Sequence, residues 1–305
     1  MAMTGILRPG HICLRVMDLA MARAHYTERV GLIETGADEG RVFLKGWDEH
    51  DAYSVILMQS DRAGMAFYGF KVRADSDLDH YQSRLHAAGV ETIELPPAEL
   101  PRCGRRLRFS LPTGQLIELY AEKELAGTAR DVINPDPWPD GLKGMAVRRL
   151  DHIAIYGEEF DATVKIFTDV LDFSVTEQIV DGDMQIAAFM SCSTKAHDIA
   201  IVRQPLRDKL HHVSFLVGSW EEVLKAADIV AKHDIPMALT PTRHGVTRGK
   251  TCYFYDPSGN CNEAFSEDSC YYPDYPILTW TADKAGKALL FHHAEIDEAF
   301  MGACT

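Results

Sequence analysis

The chain repeats itself. "HICLRVMDLAMARAHYTERVGL" from His11 resembles "HIAIYGEEFDATVKIFTDVLDF" from His152, at an offset of 141 residues. "GFKVRADSDLDHYQSRLHAAGV" from Gly69 resembles "HVSFLVGSWEEVLKAADIVAKHDI" from His212, at an offset of 143. "LPTGQLIELYAEK" from Leu111 resembles "YDPSGNCNEAFSED" from Tyr255, with Gly114 against Gly259 and Glu118 against Glu263 at an offset of 145. Three matches at nearly one offset mark a duplication, so the chain must fold as two similar units. Each half opens on a strand, a turn and an amphipathic helix, continues with several strands, and repeats that opening roughly 60 residues on. The pattern predicts an α+β fold: two tandem domains, each of two βαβββ modules forming an open barrel. The expected units are residues 1–135 and 145–305. The linker is expected in "GTARDVINPDPWPDGLKG" (127–144), where three prolines and several turn residues interrupt the periodicity. A closing helix is expected over "DKAGKALLFHHAEIDEAF", from Asp283 to Phe300.

The 305 residues are ample for two hydrophobic cores. A net charge of −14 argues against a nucleic-acid footprint and against docking on an anionic membrane, and favours a small neutral or metal-bound substrate. No apolar run approaches transmembrane length and "MAMTGILRPGHICLRV" is not a signal sequence, so a cytoplasmic location is expected. Seven scattered cysteines without a C-x-x-C read as reduced thiols rather than a disulfide framework or structural zinc site.

Duplication supplies an internal control for metal binding. In the C-terminal half, His152, His212 and Glu263 fall on strands at corresponding module positions; the sequence match pairs them with His11, Gly69 and Glu118. Two imidazoles and a carboxylate leave positions open on an octahedral ion, as in the facial triad of non-heme Fe(II) sites. Glycine at the middle position would remove a ligand, so only the C-terminal half is expected to bind metal. Within "DKLHHVSFLV", strand alternation puts His211 with Val213 and Phe215, and His212 with Leu210 and Ser214. One histidine of the pair can then face a site, and the mixed face favours His212. His197 in "STKAHDIAIV", and His244 and Tyr253 in "PTRHGVTRGKTCYFYDPSGN", lie near these ligands in sequence.

The motifs "RPGHICLRVMD", "CGRRLRF", "LKGMAVRRLDH", "STKAHD", "LHHVSF", "PTRHGVTRGKT" and "YFYDPSGNCNE" occur in order over nearly the whole chain. In them the chain resembles the type I extradiol ring-cleaving dioxygenases of the vicinal oxygen chelate superfamily, whose fold is glyoxalase-like. The resemblance implies Fe(II) held by His152, His212 and Glu263, with Mn(II) the alternative that ligand type alone does not separate. It implies that His197 is the acid–base catalyst, that His244 and Tyr253 hydrogen-bond the substrate oxygens, and that Phe189, Val246, Leu289 and Phe300 line the pocket. The implied reaction is cleavage of catechol by O2 to 2-hydroxymuconic semialdehyde in a homotetramer. An unperturbed histidine pKa near 6.5 suits both proton tasks assigned to His197.

Val246 is smaller than the leucine expected at its position, which could admit alkyl- or chlorocatechols. Two other readings compete. A glyoxalase-like lyase of the same superfamily would take four ligands from paired modules. A non-catalytic aromatic-binding protein would have lost a ligand or the acid–base histidine.

Overall fold

The computed structural model describes residues 5–97 and 99–305. Its regular elements fall into four consecutive βαβββ modules. The first is β1 (Ile6–Val16), α1 (Leu19–Ala24), β2 (Ile33–Asp38), β3 (Arg41–Lys45) and β4 (Val55–Gln59). The second is β5 (Gly64–Val72), α2 (Asp75–Ala87), β6 (Thr92–Leu95), β7 (Arg106–Ser110) and β8 (Leu116–Tyr120). The third is β9 (Arg149–Gly157), α3 (Phe160–Lys165), β10 (Ser174–Asp181), β11 (Met184–Ser191) and β12 (Ile199–Arg203). The fourth is β13 (Lys209–Leu216), α4 (Trp220–Lys232), β14 (Met237–Arg243), β15 (Lys250–Tyr255) and β16 (Cys261–Ser266).

Each pair of modules makes one open mixed sheet. The first runs β2-β3-β4-β1-β5-β8-β7-β6, and the second runs β14-β15-β16-β13-β9-β12-β11-β10, extended by β17 (Leu278–Thr281). In both, the first strands of the two modules are antiparallel neighbours at the sheet centre, and each also lies parallel to the last strand of its own module. A single apolar cluster runs through both halves, from Ile6 to Ala264. It is crossed-over packing: Tyr26 of the first module meets Phe215 of the fourth, and Phe167 of the third meets Phe70 of the second. Among the described residues, no helix is long and apolar enough to cross a membrane.

Local signals explain the helices. Asp18 caps α1 by accepting from the Met21 N–H at 2.9 Å, and Ser219 caps α4. In α4, Val223, Ala226 and Val230 form the buried stripe expected of an amphipathic helix. Helix α1 runs into a π-helical turn, His25–Val30, that ends at Gly31 with φ 86°. A side chain at Gly31 would also collide with the Lys143 carbonyl, so only glycine serves there.

Two expectations fail here. The single closing helix is replaced by α5 (Ala285–Leu289) and α6 (Glu298–Met301), separated by an irregular stretch in which Ala294 is left-handed. Ala288 packs beside Val246, while Phe300 packs beside Tyr253 and Leu239. A continuous helix would hold positions 288 and 300 about 18 Å apart along its axis, too far to serve both contacts of one pocket. The second failure is the pairing of Gly69 with His212. Gly69 lies opposite His11 and Glu118, whereas Ser214 lies opposite His152 and Glu263. Residue 212 lies across from Ala154, as Phe67 lies across from Cys13. The structural counterpart of His212 is therefore Phe67. The sequence match slipped by one same-face step, because short alternating strands look alike when displaced by two residues.

His25 is buried beside Tyr26 and Phe254, and its Nε2 has no partner. Burial, helped by Arg29, pushes its pKa down to about 4. The unfolded chain, with an ordinary histidine near 6.5, therefore takes up a proton first as the pH falls, and stability is lost between about pH 6.5 and 4. From pH 7 to pH 5 this one residue should cost about 2 kcal/mol. His25→Leu should flatten the acid limb by that amount in urea unfolding at the two pH values; equal losses in both proteins would refute the assignment.

Candidate active site

The central strands of the second sheet bring the expected ligands together. β13 lies between β9 and β16, and Ser214 pairs with both His152 and Glu263. Those two side chains reach over β13 from either side, and His212 enters from β13 itself. The Nε2 atoms of His152 and His212 are 3.4 Å apart, and they stand 3.0 and 3.4 Å from Glu263 Oε2. Two donors at right angles around an ion about 2.1 Å away stand about 3.0 Å apart, and at the tetrahedral angle about 3.4 Å. Glu263 is completely buried, yet its Oε2 makes no well-formed hydrogen bond. A buried carboxylate oxygen left open between two imidazole nitrogens fits a cation. Among the described residues this is the one such group of three potential ligands, so a four-donor lyase set is not assembled.

Neighbours orient the donors. Asp151 Oδ2 accepts from His152 Nδ1 at 2.9 Å, which turns the lone pair of Nε2 toward Glu263. Lys195 Nζ donates to the Asp151 carbonyl at 2.6 Å and lies 3.1 Å from Asp151 Oδ2 and 3.2 Å from Asp198 Oδ1. Thr251 donates from its hydroxyl to Glu263 Oε1. Burial opposes the charge on Glu263, but His152, His244 and His212 outweigh it and hold the carboxyl well below its usual range. For His152 burial is likewise outweighed, by Glu263 and Asp151, and the metal-free ring is lifted to about 9. The carboxylate thus demands one nearby positive charge, met by a proton when no metal is present.

The other candidates converge on the same place. The His197 ring centroid lies 3.9 Å from that of His152, and its Nδ1 is buried without a partner. His197 sits in the loop before β12. Burial, with His152 and Lys195 adding to it, drives its pKa well below the ordinary value. The expectation of an unperturbed histidine is therefore corrected: burial holds His197 neutral. His244 Nε2 and the Tyr253 hydroxyl are 2.9 Å apart, and the Leu289 carbonyl accepts from His244 Nδ1. Phe189, Val246, Leu289 and Phe300 line an apolar cavity together with these histidines, Tyr253, Ala154 and Ala200. No lysine or arginine reaches it among the described residues.

Both histidines of the pair face the site, against strict strand alternation. Register shifts between Leu210 and His212, so His211 is an extra residue and both rings point toward the cavity. Their Nδ1 atoms are 2.6 Å apart. A bulge leaves no trace in a pattern of apolar and polar residues, and His211 was missed for that reason. Asp151 was missed despite a simpler signal, its place immediately before a ligand histidine.

In the N-terminal half, the corresponding place holds His11 3.1 Å from Glu118, with Phe67 where a second imidazole would be. A side chain on Gly69 would overlap the His11 ring. Arg106 and Arg108 bond Glu118, and Lys123 Nζ is 2.9 Å from His11 Nδ1. The guanidinium groups of Arg106 and Arg108 occupy the electrostatic role of an ion there.

Residues 65–124 match the Catechol 2,3-dioxygenase-like N-terminal domain, and residues 149–264 match the Glyoxalase/Bleomycin resistance protein/Dioxygenase superfamily. The chain is 46% identical to a metapyrocatechase of Pseudomonas sp. (strain CF600) over 304 residues, covering 99% of each. It is 26% identical to a manganese-dependent 2,3-dihydroxybiphenyl 1,2-dioxygenase of Geobacillus genomosp. 3, covering 95% of each. Its structure superimposes on the crystal structure of the 2,3-dioxygenase LapB from Pseudomonas sp. KL28 with a TM-score of 0.90 and 46% identity, over 92% of this chain and 99% of that one. With two converging imidazoles and a buried carboxylate at the heart of that fold, the chain belongs to the extradiol ring-cleaving dioxygenases of the vicinal oxygen chelate superfamily.

Proposed function

We propose that the protein is a catechol 2,3-dioxygenase: it adds both atoms of O2 to catechol, breaks the ring bond beside the diol, and releases 2-hydroxymuconic semialdehyde. The observation that carries this is the three-donor cluster opening onto an apolar cavity walled by Phe189 and Phe300, with an unpartnered histidine beside it. His152, His212 and Glu263 would hold Fe(II), the ion associated with this donor set. Mn(II) is the alternative the same donors accept. A divalent ion held there would supply Lewis-acid binding of the catechol oxygens and a route for electron density from ring to dioxygen.

The protein's own groups supply the rest. Neutral His197, facing the cavity, accepts a hydroxyl proton from the bound catechol and returns it to oxygen as the O–O bond breaks. His244 and Tyr253, linked to each other, hold the oxygens in place by hydrogen bonds. Phe189, Val246, Leu289 and Phe300 clasp the ring and keep water from competing. A cavity without a cation suits neutral catechols over carboxylated ones. The reading includes a homotetramer with one site per chain, working in the cytoplasm.

Anaerobic loading with Fe(II), followed by catechol and air, should give a yellow product with one O2 consumed per catechol. Iron bound at one per chain with no oxygen uptake would overturn the reading; parallel loading with Mn(II) decides between the ions. His197→Phe should retain iron and lose at least 100-fold in turnover, the scale of general acid–base catalysis, and an unchanged steady-state rate would remove His197 from that role. Asp151→Asn should weaken metal binding about 10- to 100-fold in competition with a chelator; wild-type affinity would show that Asp151 does not tune His152. Val246→Leu should lower kcat/KM for alkylcatechols relative to catechol by about tenfold or more, one methylene being worth about 1–3 kcal/mol in an apolar pocket. An unchanged ratio would mean that Val246 does not set the wall.

A further inference from the structure

The bulge that turns both histidines of β13 inward leaves one of them unused by the chemistry above. His211 is buried, with its ring 4.8 Å from that of Phe300 and 5.1 Å from that of Tyr156. Its Nε2 is 3.0 Å from the Phe300 carbonyl oxygen, and its Nδ1 is 2.6 Å from His212 Nδ1. These contacts fix where the protons sit. A carbonyl only accepts, so His211 Nε2 carries its hydrogen and donates. A neutral imidazole with its hydrogen at Nε2 has only a lone pair at Nδ1. His212 must then donate from Nδ1, which leaves its Nε2 lone pair toward His152 and Glu263. Rotating or removing His211 frees His212 to place its hydrogen at Nε2, where it cannot ligate.

The anchor of this chain of hydrogen bonds is not on the sheet. Phe300 belongs to α6, which Asp297 caps by accepting from the Phe300 N–H at 2.9 Å. The same short segment is tied to β9 by the Tyr156 hydroxyl, which donates to the Met301 carbonyl at 2.7 Å. It is tied to β13 again by paired backbone bonds between Leu210 and Thr305, each 3.0 Å. Phe300 and Met301 also line the cavity. One segment therefore closes the substrate cavity and supplies the acceptor that sets the tautomer of a ligand.

We propose that His211 is a positioning residue that couples the seating of the C-terminal segment to metal retention: Phe300 carbonyl, His211, His212. This rests on His212 being a ligand, as argued under the proposed function. The coupling gives the enzyme a means of holding its metal best when the pocket is closed around it.

The test uses the full-length protein loaded with Fe(II) and challenged anaerobically with a chelator, the release rate being followed by absorbance and the fold by circular dichroism. His211→Leu removes the acceptor for His212 while keeping an apolar side chain of similar size, and should release iron at least tenfold faster than wild type. His211→Asn can place its amide oxygen where Nδ1 stood, and should recover most of the retention. Asp297→Ala, which loosens α6 without touching either histidine, should also speed release, by a smaller factor. Wild-type release from a folded His211→Leu protein would overturn the proposal, as would fast release from His211→Asn equal to that of the leucine variant. Should His211→Leu fail to fold, the asparagine and Asp297→Ala variants decide: unchanged release in Asp297→Ala counts against coupling, faster release supports it. A wild-type protein that holds no iron would instead overturn the metal assignment itself, so the two failures are distinct.

Discussion

A fully buried carboxylate organises each half of this molecule. Glu263 and Glu118 occupy matching strands, and neither has any exposed surface. An isolated buried charge is too costly to persist, so each half must bring positive charge to it. The halves solve the problem differently. Around Glu118, His11 hydrogen-bonds one oxygen and Arg106 and Arg108 close on both, and together, His11 foremost, they hold the carboxyl at about 2 despite its burial. Around Glu263 the neighbours are imidazoles, whose charge depends on a proton or an ion. The first arrangement is permanent and inert; the second is satisfied only by something that can be exchanged.

That difference is what makes one half suited to chemistry. A guanidinium fills its share of the space and offers no open coordination. Three donors on one side of an ion leave its other side facing the cavity, where Phe189, Val246 and the partnerless His197 stand. The apolar lining lowers the local dielectric, which strengthens hydrogen bonds made inside the cavity and keeps His197 neutral. Burial of His197 thus suits the role proposed for it: a histidine kept uncharged is ready to act as a base.

Much of this was legible in the sequence, because the duplication marks the modules and the spacing of His152, His212 and Glu263 follows them. All ten residues assigned to metal, catalysis or pocket fall around one cavity. What escaped is what period-two reasoning cannot see. The slip that paired Gly69 with His212 preserves the alternation of faces, so the sequence pattern scores it nearly as well as the true register with Phe67. The bulge at His211 is invisible for the same reason. The broken closing helix escaped because its apolar residues do keep a helical rhythm; the need to reach two contacts within one pocket, a tertiary demand, overrode it. The low pKa of His197 followed from burial, which a motif does not report.

The N-terminal half, lacking a second imidazole, still acts on the site through packing. Its first helix and the π turn that follows put Tyr26 against the sheet of the other half, where its hydroxyl, with one hydrogen to donate, lies 3.0 Å from Asn262 Oδ1 and 3.1 Å from Asp256 Oδ2. Asn262 immediately precedes Glu263, and Asp256 holds the turn that leads into the same strand, accepting from the N–H groups of Ser258 and Asn260. Asn260 in turn donates to the Arg15 carbonyl of β1 and accepts from the Gly64 N–H at the start of β5. The strand that delivers the buried carboxylate is thereby fixed from both sides by residues of the other half. A π turn at the end of a short helix is an uncommon local choice, and such turns are frequent at functional sites. Here it gives Tyr26 its direction, so the half without a metal set is the frame that orients Glu263 in the half that has one.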